Sequence, residues 1–288
     1  MVHETEYWLI SGKVKIFAQR WQPFSEVKGI ICLVHGLGEH GSRYEEWAYR
    51  FTEHGYVIYS IDLPGHGHSA GKRGHGKYET LIDTVKTMVM KAREAYPGRP
   101  LVLYGHSMGG NLVLNYASRP NAEIDGLIST SPWLELVHRP GPLKIMLAKI
   151  VRFFYPAFVM PTGLEATQMS SNHDEVDKYK KDPLVHDKIS AALFLEIEKA
   201  SGIIMKSIYK INVPFLLMHG SEDKVTSPEA SKDFVRNTSN LTTFKVWEGK
   251  YHELHKEDNK DEVFELVLSW LNGILKTKHE KVLENGYL

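Results

Sequence analysis

Runs of β-branched and aromatic residues recur along the chain at strand length. They lie at residues 6–10, 14–21, 29–35, 56–61, 100–105, 124–130, 213–219 and 243–247. From residue 29 onward they alternate with stretches of helical apolar spacing, at residues 43–54, 78–96, 108–118, 228–237 and 258–276. Strands that alternate with helices are typically parallel and covered on both faces, so the pattern predicts an α/β fold with a mostly parallel, eight-stranded sheet flanked by helices.

Two of these helices begin with local start signals. Ser42 is followed three residues later by Glu45, which is the spacing of a capping box. Ser227, Pro228 and Glu229 supply a cap, a first-turn proline and an acid that suits the helix dipole. We therefore predict helix starts at both positions.

The alternation stops between residues 133 and 209, where helical stretches are interrupted by Pro140, Pro142, Pro156, Pro161 and Pro183. This predicts a helical cap inserted at residues 133–209 between two parts of one core, residues 1–132 and 210–288. Residues 136–164 contain no acidic side chain, whereas the basic residues Arg139, Lys144, Lys149 and Arg152 lie there among many apolar ones. We expect this basic amphipathic segment to cover the core and to contact a membrane or micelle through an exposed apolar edge.

Composition narrows the class of protein. The 288 residues are 42% hydrophobic and 24% charged with a formal net charge of zero, which predicts a folded protein without the field that recruits nucleic acid. The single cysteine, Cys32, cannot form an internal disulfide, and the amino terminus lacks the pattern of a signal peptide. No apolar run approaches the ~20 residues of a membrane-spanning helix. We expect a cytoplasmic protein, with membrane contact at the periphery.

The sharpest motif is Gly105-His106-Ser107-Met108-Gly109, placed between an apolar strand and a helix. In this context G-x-S-x-G forms a sharp turn that exposes the serine at the carboxyl edge of the sheet, and glycine tolerates the crowding on either side. Ser107 is therefore the candidate nucleophile.

A serine hydroxyl needs a base, and the base needs an acid to orient it. In α/β folds with such a serine turn, the acid and then the histidine follow the serine in sequence, each after one of the last strands of the sheet. Asp223 and His252 fit that order, and Glu222 and His255 are the neighbouring alternatives. No histidine pair reproduces a closed ligand set, so we predict no metal.

The segment Gly36 to Gly41 matches the dinucleotide fingerprint G-x-G-x-x-G, and Asp62 ends the next strand. An NAD-dependent oxidoreductase is thus an alternative of another class. However, Glu39 would place a carboxylate beside the pyrophosphate. In a serine hydrolase the same loop supplies a backbone N–H to the oxyanion, which makes Leu37 and Met108 the candidate donors.

Taken together, the motifs resemble the α/β-hydrolase superfamily, and within it the monoacylglycerol lipase and lysophospholipase-like group. They are His35 to His40 with Arg43-Tyr44, Asp62 to Ser69, Gly105 to Gly110, Ser131-Pro132, Pro214 to Asp223 and Glu248 to His252. The resemblance implies a Ser107–Asp223–His252 triad, no cofactor, and an apolar tunnel for one acyl chain under the cap. Monoacylglycerol ester hydrolysis is the function it implies.

The lipases of this group carry an acidic cap residue after the Ser-Pro pair, which binds the glycerol hydroxyls. Here the register places Arg139 at that position, and Glu135 is the nearest acid. With Arg43, these residues are the candidate substrate contacts. Because Arg139 stands where the lipases carry an acid, a lysophospholipase or a general carboxylesterase is the alternative function. A phosphate head group facing Arg139 would favour the lysophospholipase.

Overall fold

The computed structural model describes residues 1–207, 211–236 and 241–285, with side chains up to residue 276. The strands are β1 (Val2–Ile10), β2 (Val14–Gln22), β3 (Gly29–Val34), β4 (Tyr56–Ile61), β5 (Leu101–His106), β6 (Gly126–Thr130), β7 (Val159–Pro161), β8 (Lys188–Ser190), β9 (Phe215–Gly220) and β10 (Thr242–Trp247). The helices are α1 (Glu45–Glu53), α2 (Tyr78–Ala95), α3 (Met108–Ala117), α4 (Pro142–Phe154), α5 (His173–Lys181), α6 (Ala191–Ile204), α7 (Pro228–Val235) and α8 (Lys260–Asn285). The boundary predicted between residues 209 and 210, and the helix end predicted at Asn237, lie outside the described residues.

One eight-stranded sheet has the order β1-β2-β4-β3-β5-β6-β9-β10. The strands from β4 to β10 in that order pair in parallel, whereas β1 and β2 are antiparallel at one edge. The predicted sheet is therefore confirmed. Because β3, β5, β6, β9 and β10 run in the same direction, the loops that follow them meet at one edge of the sheet.

Both faces of the sheet are covered, as the uninterrupted apolar strands predict. Along β3, Ile30 and Val34 pack into the cluster that includes side chains of α2, α3 and α6, whereas Ile31 and Leu33 pack into the cluster with α1 and α8. Successive side chains of a strand point to opposite faces, so a strand buried on both faces is apolar at every position.

The segment between β6 and β9 contains α4, α5 and α6, and also a small antiparallel sheet of β7 and β8. The pattern of residues predicted the helices but not this sheet, because strands of three residues show no period and their partners lie far apart in sequence. Helix α6 shares the main core through Leu193 and Ile197, whereas α4 has no buried residue. No helix among the described residues is long and apolar enough to cross a membrane.

The helix starts turned out differently at the two predicted positions. At α7 the prediction is confirmed, since the hydroxyl of Ser227 accepts the N–H of Ala230 at 3.1 Å. At Ser42 it is wrong, because this hydroxyl donates to Gln19 at 3.0 Å and the first turn is a 3₁₀ helix, with α1 beginning at Glu45. The tertiary partner replaces the local cap. Helix α8 also continues to Asn285, beyond its predicted end at Lys276.

Candidate active site

Ser107 lies on the sharp turn between β5 and α3. Its backbone has φ 55° and ψ −117°, a conformation that residues other than glycine rarely adopt. A Cβ atom on Gly105 would lie 2.4 Å from the carbonyl oxygen of Gly109, and a Cβ atom on Gly109 would lie 2.2 Å from that of Val34. The strand, turn and helix predicted around Ser107 are all present, and the close approach of backbones explains the glycine on each side.

A chain of hydrogen bonds joins three side chains that are distant in sequence. Nε2 of His252 lies 2.9 Å from Oγ of Ser107, and Nδ1 of His252 lies 2.7 Å from Oδ2 of Asp223. These residues follow β5, β10 and β9, whose carboxyl ends share one edge of the sheet. In this geometry a histidine can take the serine proton while a carboxylate orients its ring.

The loop after β9 holds the Asp223 carboxylate by both oxygens. Oδ1 accepts the backbone N–H groups of Val225 at 2.7 Å and Thr226 at 3.0 Å. Oδ2, the atom that contacts His252, also lies 3.0 Å from Nε2 of His219. His219 is not among the residues predicted from the sequence, although it lies in β9, four residues before Asp223. The carboxylate therefore presents one fixed oxygen to His252.

The charges around these hydrogen bonds shift the pKa values of Asp223 and His252 in the direction that general-base catalysis needs. Burial alone would raise the pKa of Asp223, but the charge of His252 and the hydrogen bonds from His219 and His252 hold it well below its usual value. Burial alone would lower the pKa of His252, but Asp223, with Glu253 and Glu39, raises it above 6.5. Asp223 is thus ionised at neutral pH and can stabilise an imidazolium at His252.

The neighbouring alternatives occupy other places. Glu222 is exposed. His255 is buried, and its ring stacks on Tyr44 with a centroid distance of 4.3 Å. The structure therefore brings Asp223 and His252, rather than these two residues, to Ser107.

Leu37 and Met108 supply backbone amides close to Ser107. Leu37 lines the same cavity as Ser107, and its loop lies so near that a Cβ atom on Gly36 would be 3.0 Å from Cβ of Ser107. Met108 is the first residue of α3, where an amide has no partner within the helix. In the part of the chain that the structure describes, neither amide donates a hydrogen bond to another protein group.

Arg43 lies between two buried carboxylates, and we call Glu39, Arg43 and Glu253 the carboxylate–arginine cluster. The Arg43 guanidinium donates to Glu39 at 2.8 Å and to both oxygens of Glu253 at 2.6 and 2.7 Å. Sequence reasoning named Arg43 but missed Glu253. The spacing from Glu39 to Arg43 suggests a helical ion pair, whereas no local pattern indicates a partner 210 positions away.

A cavity of about 590 Å³ contains Ser107 and His252 in its lining. Most of the wall is apolar, including Leu37, Trp133, Leu136, Leu147, Val151, Met160, Met169 and Phe194. Glu39, Tyr179 and Glu253 line it as well, and so do the cations Arg139 and Lys144. Arg139 pairs with Glu135 at 2.8 Å, and both side chains are partly exposed.

In the loop that matches a dinucleotide fingerprint, backbone N–H groups already donate to side chains of the protein. Oε1 of Glu39 accepts the N–H of Gly36 at 2.6 Å. The Asp62 carboxylate accepts the N–H groups of Gly41 and His68, each at 2.8 Å. These contacts use the amide that would face a pyrophosphate and the carboxylate that would face a ribose, so the loop does not fit a dinucleotide.

The parallel sheet, the strained serine turn and the Ser–His–Asp hydrogen bonds define the class as that of the α/β-hydrolases. Comparison with known proteins agrees. Residues 25–259 match the family model described as serine aminopeptidase, S33. The chain belongs to this family of α/β-hydrolases, and within it to the group of lipases and esterases that includes the monoglyceride lipases. The resemblance inferred from the motifs is confirmed.

Three similar proteins illustrate the relationship. A monoacylglycerol lipase of Mycolicibacterium smegmatis is 30% identical over 90% of this chain and 94% of its own length. The crystal structure of Paleococcus ferrophilus monoacylglycerol lipase has 32% identity and a TM-score of 0.81, covering 88% of this chain and 98% of that one. An uncharacterised abhydrolase-domain protein of Dictyostelium discoideum is 32% identical over 96% of this chain, which spans 30% of that protein's length.

Proposed function

We propose that this chain hydrolyses monoacylglycerols to a free fatty acid and glycerol through an acyl-enzyme on Ser107. The observation that carries the proposal is the hydrogen-bonded chain of Ser107, His252 and Asp223 in the lining of a largely apolar cavity of about 590 Å³. Cavities of roughly 300–1,000 Å³ commonly enclose a small ligand, and apolar walls suit one acyl chain. The monoacylglycerol lipases similar to this chain support the substrate class.

The reaction proceeds in two halves. His252 Nε2 takes the proton of Ser107 as Oγ attacks the ester carbonyl, and the amides of Leu37 and Met108 stabilise the oxyanion. His252 then gives the proton to the leaving glycerol oxygen, and the acyl group stays on Ser107. Water then attacks the acyl carbonyl and gives a proton to His252. The bond from the acyl carbon to Ser107 Oγ breaks as His252 returns that proton to Oγ, and the fatty acid is released. Asp223 holds the tautomer of His252 and stabilises its charged form throughout.

We further propose that residues 133–209 form a cap on the core of residues 1–132 and 210–288, and that α4 contacts a lipid surface. Leu147 and Val151 of α4 line the cavity, whereas Phe153 and Phe154 are 81% and 78% exposed. Helix α4 also carries the cations Lys144, Lys149 and Arg152, and a helix with both exposed aromatic side chains and cations suits the boundary of an anionic membrane. Substrate could then enter the cavity from the lipid.

A fluorophosphonate probe tests the nucleophile. Intact-protein mass spectrometry should show one probe adduct, and Ser107→Ala should show none. The same variant should lose on the order of 10⁶ in kcat, as in other serine hydrolases, without unfolding. Hydrolysis of monoacylglycerols of graded length should then show one optimum. Labelling that persists in Ser107→Ala, or activity close to that of the wild type, would refute the assignment.

A lysophospholipase or a general carboxylesterase is the second candidate. Arg139 and Lys144 in the cavity lining favour the former, because such side chains can bind a phosphate head group. The ratio of hydrolysis of a monoacylglycerol to that of lysophosphatidylcholine with the same acyl chain separates the two functions.

A further inference from the structure

The carboxylate–arginine cluster is buried beside the catalytic histidine. The side chain of Arg43 is 7% exposed, and those of Glu39 and Glu253 are each 3% exposed. The Tyr179 ring covers the guanidinium at 4.7 Å from its centroid. Buried charges must be paired to be tolerated, and here one cation faces two carboxyl groups, so that burial and the charge of Glu253 raise the pKa of Glu39.

Two members of the cluster line the cavity together with His252. His252 must protonate the leaving oxygen, so that oxygen sits next to Nε2 of His252 in the transition state. Glu253 is the next residue along the chain and lines the same cavity. Glu39 lines it too, and bonds to the N–H of Gly36, one residue before the oxyanion donor Leu37. Glu39 and Glu253 therefore share the cavity wall with His252, the residue that would protonate the leaving oxygen.

The part of the cavity wall formed by Glu253 offers hydrogen-bond acceptors. Both terminal nitrogens of Arg43 donate to Glu253, and one of them donates to Glu39 as well. Although burial opposes its charge, Arg43 lowers the pKa of Glu253 to about 2, so this side chain is a carboxylate at neutral pH. Carboxylate oxygens retain lone pairs for further donors. The wall can accept hydrogen bonds from hydroxyl groups, but its cation is already occupied.

We propose that Glu253 is a specificity-determining residue: by pairing with Arg43 and placing a negative charge at the cavity wall, it admits uncharged hydroxyl-bearing alcohols and rejects leaving groups that carry a phosphate. A phosphate at this end would be repelled by the Glu253 carboxylate and would find Arg43 already paired with Glu39 and Glu253. A glycerol would donate to the same oxygens. This inference rests on the proposed ester hydrolysis and names the alcohol that it releases.

The test compares two substrates that differ only in the phosphate, 1-oleoylglycerol and 1-oleoyl-glycerol 3-phosphate. For the wild type we expect kcat/KM to favour the uncharged substrate by at least 100-fold. Glu253→Gln removes the charge and frees part of Arg43, so the ratio should fall at least tenfold. Glu253→Asp keeps the charge and should keep a ratio close to that of the wild type. A general structural defect would lower both rates and leave their ratio unchanged.

The wild type alone provides a second measurement. The acyl-enzyme formed from p-nitrophenyl oleate should transfer its acyl group from Ser107 to added glycerol, with the glycerol proton passing to His252, and give 1-oleoylglycerol. Glycerol 3-phosphate at the same concentration should give no acyl product. Equal use of both alcohols, or a substrate ratio that Glu253→Gln leaves unchanged, overturns the role of Glu253. Failure of the proposed function itself would appear differently, as absence of hydrolysis of either oleoyl ester.

Discussion

Replacement of Asp223 by asparagine tests the catalytic geometry with almost no change in shape. The two oxygens of Asp223 have different partners, which fixes how the new amide must point. Because the N–H groups of Val225 and Thr226 donate to Oδ1, the amide oxygen of the asparagine stays there. Its NH₂ group then replaces Oδ2, the atom that lies 2.7 Å from Nδ1 of His252.

This orientation selects the wrong tautomer of His252. An NH₂ group at the position of Oδ2 is a donor, so Nδ1 must accept and the ring proton moves to Nε2. Nε2 would then point its proton at Ser107 and could not take the serine proton. The corresponding change in a serine protease costs about 10⁴ in kcat. This equals about 5.4 kcal/mol of transition-state stabilisation, at 1.36 kcal/mol for each factor of ten.

The assay is kcat with a soluble monoacylglycerol for Asp223→Asn, with the thermal unfolding midpoint as a check on folding. We expect a loss of about 10⁴ in kcat. The matched control is Glu222→Gln, which makes the same chemical change at the exposed neighbouring carboxylate and should leave kcat within about twofold. A folded Asp223→Asn enzyme that keeps a tenth or more of the wild-type kcat would refute the tautomer argument.

Two further predictions concern pH and lipid. His252 acts as a base only when it is neutral, and its pKa is raised above 6.5. We therefore expect kcat/KM to fall as the pH decreases, with a midpoint above 6.5. A midpoint at or below 6.5 in the pH–rate profile would contradict this expectation. Phe153→Ser and Phe158→Ser each remove exposed apolar surface near the carboxyl end of α4. Each variant should therefore partition severalfold less onto anionic liposomes in a sedimentation assay. Unchanged partitioning of both variants would count against lipid contact.

The elements that sequence reasoning placed correctly are those with a complete local signal. Strands β3 to β6 and β9 are mostly apolar and buried along their whole length, and Ser227 with Pro228 marks the start of α7. The β7–β8 pair could not be placed, since three residues carry no period. Ser42 misled because its hydroxyl had a tertiary alternative in Gln19, which no local rule describes.

The candidate site divides in the same way. Ser107, Asp223 and His252 each follow a recognisable strand, so fold order alone suggested them before their distances were known. Glu253 and His219 carry no such signal. The turn after β10 brings Glu253 to Arg43, and the turn after β9 brings Asp223 to His219. The shapes of these turns depend on tertiary packing.

The loop after β10 gives two adjacent residues separate tasks. His252 contacts Ser107 while Glu253 contacts Arg43, so their side chains serve the reacting bond and the cluster next to it. The buried carboxylate of Glu257 holds the loop in this shape, since it accepts the N–H of Tyr251 at 3.1 Å and that of Ser171 at 2.9 Å. In the proposed reaction, one loop conformation therefore sets both the position of the general base and the charge near the leaving alcohol. The two proposals therefore make catalysis and alcohol selectivity depend on the same loop, because a shift of the loop would displace the side chains of His252 and Glu253 together.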